Sequence, residues 1–439
     1  MRAWPALIGV ALLLMLAVPD SALAHAVLLR SDPPSAQRLA AAPAEVRLLF
    51  SEPIDPQFSR VQVLDSSGAQ VDRGDSRVDD TLLTVSLRTG LPDGVYTVMY
   101  RSLSTIDVHP EVGGYQLFVG VPVTTGGVTA TQSSESTLPT LIARWWLYVA
   151  ASVFAGALAT WKIVFGPLLS ADDPARPRAL SRGKRLAVVA GALLLIGTLF
   201  AAVAQAAAAA GVPLESSFGA PLRDLLTRGR FAGIWWPRLG ISVIAVALVA
   251  WRGLDDAWSE SAAAMVPAIL LTNSLTSHGA ALPSALFGVV LDWLHVLAAA
   301  LWIGGLASMA LIAPLLRQQS EVFRAVVRRF SWLAGGSVIA IVASGTLQAV
   351  FEVGSFDALL NTMYGQGVLL KVALLVLMLI VALVVRLRGA LQRGVRVELA
   401  LGFVVLAVAA VIAGATPARQ IAPSPTTTAT SATAAQASP

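Results

Sequence analysis

From residue 141 onward the sequence breaks into apolar runs close to the roughly 20 residues needed to cross the hydrocarbon of a bilayer. They fall near 141–165, 186–210, 232–251, 261–278, 287–312, 331–351, 367–387 and 398–415, and predict an all-α polytopic membrane domain of about eight helices. With 56% hydrophobic and 13% charged residues over its whole length, the chain cannot be an ordinary soluble protein. Lys/Arg clusters set its orientation. Arg176, Arg178, Arg182, Lys184 and Arg185 lie between two runs, Arg317, Arg324, Arg328 and Arg329 between another two, and Arg386, Arg388, Arg393 and Arg396 between a third pair. The positive-inside rule puts these loops in the cytoplasm and both chain ends outside. The net charge of +5 therefore reflects topology, and no nucleic-acid partner is expected.

Residues 25–121 have a different period. Val46, Leu48 and Phe50 alternate with Arg47 and Leu49, and the same spacing of two recurs at Val61/Val63, Leu83/Val85/Leu87 and Tyr96/Val98/Tyr100. Asp65-Ser66-Ser67-Gly68 and Leu91-Pro92-Asp93-Gly94 read as tight turns between strands. About seven strands in this length predict an immunoglobulin-like β-sandwich. The chain has no cysteine, which excludes disulfides and thiolate metal sites. The small polar residues of 122–140 predict a flexible linker into the membrane domain at 141–415, and the Thr/Ser/Ala/Pro-rich stretch 416–439 a disordered tail.

The start of the chain is a secretory pattern: Arg2, an apolar stretch Ala6–Val18, and Ala22-Leu23-Ala24. Removal of residues 1–24 leaves His25 first, offering a free amine and an imidazole, both metal donors once deprotonated. Only three other histidines exist: His109, His278 and His295. Asp107 and His109 are two apart, so an extended segment points them the same way. With His25 they make three nitrogens and one oxygen, a set that suits tetragonal Cu(II). A D-x-H triplet by itself fits a solvated loop equally well.

The residues His25-Ala26-Val27-Leu28, Ser31-Asp32-Pro33-Pro34, Ala42-Pro43, Phe50-Ser51-Glu52-Pro53 and the Asp107/His109 pair resemble CopC, the periplasmic copper-binding protein. The resemblance implies that His25, Asp107 and His109 are Cu(II) ligands. It also implies a Cu(II)-only version, because the methionines of a Cu(I) site are lacking and Met99 is the domain's single methionine.

In the membrane half, Thr276-Ser277-His278-Gly279 closes the fourth run, and Asp292 and His295 open the fifth at the same face. Ionisable groups in a span are costly and mark function by default. His278, Asp292 and His295 are thus a candidate membrane copper site, with a hydrogen-bonded interfacial pair as the alternative. Trp302 and Met309 continue the stripe and read as core; Lys162 and Lys371 receive no role. Asp292-Trp293-Leu294-His295, Leu301-Trp302-Ile303-Gly304-Gly305 and Arg329-Phe330-Ser331 resemble CopD, the copper-resistance membrane protein.

A CopC–CopD fusion implies a multi-pass protein of the bacterial cytoplasmic membrane with its β domain in the periplasm or outside. That domain would capture Cu(II), as the free ion or from other extracytoplasmic copper carriers, and the membrane half would move copper inward in an oxidation state the sequence leaves open. The alternatives are a copper-sequestering receptor or sensor, and a haem-binding redox protein using His278 and His295 as axial ligands. Copper monooxygenase chemistry is disfavoured by Asp107, which fills the coordination plane, and no G-x-x-x-x-G-K-[ST] loop is present for ATP-driven pumping.

Overall fold

Alternating apolar positions in the N-terminal quarter bury one side of each strand and so build two facing sheets. The computed structural model describes residues 26–123, 131–134, 137–281, 284–388 and 391–420. Its strands are β1 (Leu28–Asp32), β2 (Arg38–Leu39), β3 (Glu45–Phe50), β4 (Arg60–Leu64), β5 (Arg77–Asp79), β6 (Leu82–Ser86), β7 (Gly94–Leu103), β8 (Pro110–Val119) and β9 (Thr131–Ser134). One sheet has the order β1-β3-β6-β5, the other β2-β8-β7-β4 with β9 on β8. Val46, Leu48, Phe50, Val61, Val63, Leu83, Val85, Leu87, Tyr96, Val98 and Tyr100 are all buried in the core between them, as their period of two requires. The first of the two expected tight turns forms; at the second the turn lies at Thr89-Gly90, just before Leu91-Pro92-Asp93, and Gly94 already opens β7. Asp65 Oδ1 accepts from the backbone N–H groups of Ser67 and Ala69, and Gly68 takes the left-handed conformation that closes the loop.

The stretch expected to be a flexible linker is partly placed. Thr131–Ser134 pairs antiparallel with Glu111–Gly114 of β8 and satisfies that strand's open edge, so the expectation of a structureless 122–140 is corrected there. The first helix also starts earlier than expected, at Leu138 with Pro139 in its first turn, where a missing N–H costs nothing. The secretory stretch 1–24 and His25 lie outside the described residues, as does most of the tail; Ala418–Gln420 still forms a helical turn.

The helices are α1 (Leu138–Thr160, continued by a π turn Trp161–Phe165), α2 (Arg176–Ala210), α3 (Ala220–Thr227), α4 (Gly229–Arg252), α5 (Trp258–Ser274), α6 (Ala285–Ile312), α7 (Ser320–Glu352), α8 (Phe356–Asn361), α9 (Met363–Arg388) and α10 (Leu391–Ile412). Each of the eight apolar runs has its helix. Seven are long and apolar enough to cross a membrane; α5, with 17 residues, is the short one. The basic residues 176–185, expected in a loop, instead form the first turns of α2, which extends beyond its apolar stretch.

α1 and α6 touch backbone to backbone. A Cβ on Gly304 would fall 1.8 Å from the Ser152 carbonyl oxygen, and one on Gly156 would fall 2.1 Å from the Gly304 carbonyl carbon. Small residues allow this approach, and in lipid the resulting dispersion contact is the main attraction between helices. Trp302 and Met309 lie in the same helical core, as expected. The outer faces of α7 and α9 remain apolar and exposed (Ile339, Val350, Leu370, Val376), as contact with acyl chains demands.

Gly304→Leu has no room to relax without separating α1 from α6. Thermal unfolding in detergent, followed by fluorescence-detected gel filtration, is expected to show a large loss of monodisperse protein, reflecting at least about 3 kcal/mol of overpacking. A Gly304→Leu protein with the wild-type midpoint would refute the close packing.

Candidate metal centre

β7 and β8 form a hairpin whose loop, Ser104–His109, faces the helical bundle. The extended geometry expected for Asp107 and His109 is corrected here. The loop is a turn, and Val108 between the two residues has φ +61°, a left-handed conformation that a β-branched side chain rarely adopts. The turn, and not strand alternation, brings both side chains to one side. Its strain is opposed by docking. Val108 is buried with Phe58 and Leu103 against Ala206, Ala209 and Leu225, and its carbonyl accepts 2.6 Å from Gln205 Nε2 of α2. Arg101 adds a bond to the Ala208 carbonyl near the end of α2 (3.0 Å).

Within the loop, the Asp107 carboxylate accepts from the backbone N–H of His109 (3.1 Å) and lies 3.2 Å from His109 Nδ1. His109 Nε2 lies 2.9 Å from the carbonyl of Ala413, just past α10. A carbonyl only accepts, so Nε2 carries a proton toward Ala413, which leaves Nδ1, on the Asp107 side, as the nitrogen a metal would take.

His278 completes the group. α5 ends at Ser274, so His278 does not close that helix; it opens a 3-10 turn, His278–Ala281, under the β domain. Its ring stacks on His109 with centroids 5.2 Å apart at 29°. Ligand atoms of Asp107, His109 and His278 lie within 4.8 Å of one another, and no other such group of three occurs among the described residues. Asp107 is 2% exposed, His109 6% and His278 5%.

His278, Asp292 and His295 therefore do not share one cluster. α6 starts at Ala285, which sets His295 ten residues in (285 to 295), roughly 15 Å along its axis, and not at the helix mouth. What joins them is a cavity of about 240 Å³ that begins at Asp107, His109 and His278 and runs between the helices past Asp292 and His295. Its walls hold groups that a search centred on histidine passes over: Arg144, Tyr148, Arg238, Glu352, Tyr364 and Lys371. Arg144, Tyr148, Arg238 and Lys371 are ionisable residues inside apolar runs, a signal visible in the sequence, whereas Glu352 and Tyr364 fall just outside the runs 331–351 and 367–387. Lys371, given no role above, faces this cavity.

Glu52 stands behind the loop. It is buried, accepts 2.5 Å from Ser104 Oγ, and follows Ser51, whose side chain and backbone hold Val27 (2.9 Å each). Burial, then the negative charge of Asp107, pushes its carboxyl up to about 9 from 4.5.

These features define a class: a helical membrane protein with a β-sandwich seated on one end of its bundle and a histidine–carboxylate cluster shared between the two. Residues 28–120 match the CopC domain, residues 134–288 the N-terminal domain of copper resistance protein D-like proteins, and residues 324–412 copper resistance protein D. In order along the chain these are a CopC domain at the N-terminus followed by CopD-type domains, the arrangement of a CopC–CopD fusion. It is similar to the copper transport protein CutJ of Bacillus subtilis (29% identity over 433 residues, 94% of this chain and 78% of that protein). It also resembles the inner membrane protein YebZ of Escherichia coli (37% over 92 residues, 20% of this chain and 31% of that one). The N-terminal domain is similar to CopC from Methylosinus trichosporium OB3b (32% identity, 22% of this chain, 93% of that one, TM-score 0.20).

The Glu52 shift sets a pH dependence. A raised carboxyl binds its proton more tightly in the folded chain, so its stabilising contribution is complete below pH 4.5 and declines as pH rises through about 9. Glu52→Gln, which keeps an acceptor for Ser104 and has no charge, should match the wild type in metal-free thermal unfolding at pH 4.5. It should become progressively more stable than wild type toward pH 9. Parallel curves would refute the assignment.

Proposed function

We propose that the β domain captures Cu(II) outside the cytoplasm and passes it, without release to solvent, to the membrane domain, which conducts it inward. The family descriptions support copper handling and point to a non-enzymatic role. The observation that carries the proposal is the meeting of Asp107 and His109 from one domain with His278 from the other, at the mouth of a cavity that continues between the helices. His25 would add its amine and imidazole from the processed chain end, next to the buried Ala26.

Transfer from one domain to the other requires a shared ligand set. A Cu(II) ion bound to His25, Asp107 and His109 would acquire His278 before losing a donor on the β side, so no intermediate is left bare in a low-dielectric site. Imidazole and carboxylate are suited to Cu(II), whose geometry tolerates such stepwise exchange. The inward direction rests on charge. The Arg-rich start of α2 and Arg393 and Arg396 of α10 lie at the helix ends opposite Ala208 and Ala413, which touch the β domain. With the basic ends in the cytoplasm, the β domain faces outward.

The test is copper uptake by cells grown in limiting copper, with intracellular and envelope metal separated. The intact protein should raise intracellular copper, and His109→Ala and His278→Ala should each abolish the rise. In purified protein, His278→Ala should weaken Cu(II) binding by roughly tenfold and change the nitrogen hyperfine pattern in electron paramagnetic resonance. A rise confined to the envelope would establish a sequestering receptor instead.

A further inference from the structure

The cavity ends partway along the bundle. Its lining goes no deeper than Ser152 on α1, Ala201 on α2, Arg238 on α4, Ile303 on α6, Lys371 on α9 and Val405 on α10. The same helices run on to Phe165, Arg176, Arg252, Ile312, Arg388 and Leu391 at the basic end. Below the cavity floor, Phe154, Leu158, Trp161, Val249, Leu306 and Ile312 are buried in one core. The cavity therefore reaches toward the β domain and is closed from the basic end.

Side chains from separate segments tie that closed end together. α1 finishes in the π turn Trp161–Phe165, where the Gly166 N–H bonds to the Trp161 carbonyl (2.8 Å). A π turn carries one residue more per bond than an α turn and recurs at functional sites. The Trp161 side chain is 2% exposed, and its Nε1–H donates 2.8 Å to Asp255 Oδ1 in the loop between α4 and α5. The other carboxylate oxygen, Asp255 Oδ2, accepts 3.0 Å from Arg176 at the start of α2. Next to it, Leu254 is buried against α2, where Gly183 leaves the room; a Cβ there would stand 3.0 Å from Leu254 Cδ1. Asp255 thus holds the α4–α5 hairpin to α1 and α2 together.

The two Asp255 bonds differ in weight. The Arg176 pair is partly exposed, and such pairs contribute little. The indole N–H is buried, and without Asp255 it has no acceptor among the described residues, which costs more than the bond itself contributes. Once the hairpin moved away, water would satisfy the same N–H. α1 and α6 are locked by backbone contact at Gly156 and Gly304, so the wall free to move is the α4–α5 hairpin.

We propose that the Trp161–Asp255 bond is the latch of a gate at the cytoplasmic end, which opens when the α4–α5 hairpin moves off α1 and α2. The arrangement here is the one that receives ions from the β domain with the inner gate shut. The latch deepens the transport reading and rests on it for direction.

The chain has no cysteine, so a single Ser152→Cys at the cavity floor reports access. Its modification by a small, membrane-impermeant thiosulfonate is timed in inside-out membrane vesicles, where the reagent meets the cytoplasmic end of the full-length chain. With the latch intact the reaction should be slow. Asp255→Ala, which orphans the indole N–H in the closed state, should speed it roughly tenfold or more. Trp161→Phe removes that donor, so its combination with Asp255→Ala should react more slowly than Asp255→Ala alone; a merely loosened fold would react faster still. Asp255→Asn, which keeps an acceptor for the indole, should stay near the parent, as should Glu260→Ala, an exposed carboxylate on α5. Monodisperse gel filtration shows that each variant is folded, and Trp161→Phe alone, with a smaller rise, serves where Asp255→Ala does not fold. Unchanged reactivity of folded Asp255→Ala and Trp161→Phe, or a double variant at least as reactive as Asp255→Ala, would overturn the latch. A reporter that responds as expected in a chain that admits no copper keeps the latch and removes the transport reading.

Discussion

The seating of one short turn, Asp107-Val108-His109, in the mouth of the helical bundle is the contact on which the rest of the arrangement depends. Val108 is held at an unfavourable φ, and the apolar contacts with Ala206, Ala209 and Leu225 together with the Gln205 bond offset that strain. Because the turn is fixed in this way, Asp107 and His109 meet His278 across a domain boundary. A freely tethered sandwich would raise the local concentration of copper near the membrane. A seated one places Asp107 and His109 at the mouth of the cavity itself.

Below that entrance the bundle solves two opposed problems. Its outer faces must be apolar, and α7 and α9 accordingly present Ile339, Val350, Leu370 and Val376 outward. Its interior must hold charge, which lipid does not tolerate unless the charges face one another or a polar cavity. Asp292, Glu352 and Lys371 all line that cavity. Close packing elsewhere, at Gly156 and Gly304, leaves the helices little freedom to move independently, so the cavity is framed by a rigid α1–α6 pair.

Much of the fold was legible in the chain. The period of two at Val46, Leu48 and Phe50 and at Tyr96, Val98 and Tyr100 leads directly to buried strand faces, because side chains alternate about a strand whatever its partners. The eight apolar runs lead to eight helices, seven of them long enough to span, because a membrane leaves backbone polar groups no other way to be satisfied. Less legible were the ends. α5 stops at Ser274 and frees His278 for the β domain, and α6 starts at Ala285, well before Asp292. Residues 131–134 are polar enough to read as linker, yet they pair with β8, since an edge strand needs only backbone groups.

Local composition determined that this chain has a sandwich followed by a membrane bundle, which residues can ligate copper, and which end is basic. Periodicity and donor chemistry act over a few residues, and a sequence displays them directly. Which ligands share a site was decided only in three dimensions. His278 joins Asp107 and His109, 171 and 169 positions earlier, while Glu352 and Lys371, from other helices, line the same cavity as Asp292. Those meetings depend on helix ends, on a left-handed valine and on backbone contact between glycines, and each is set by packing between segments distant in the chain.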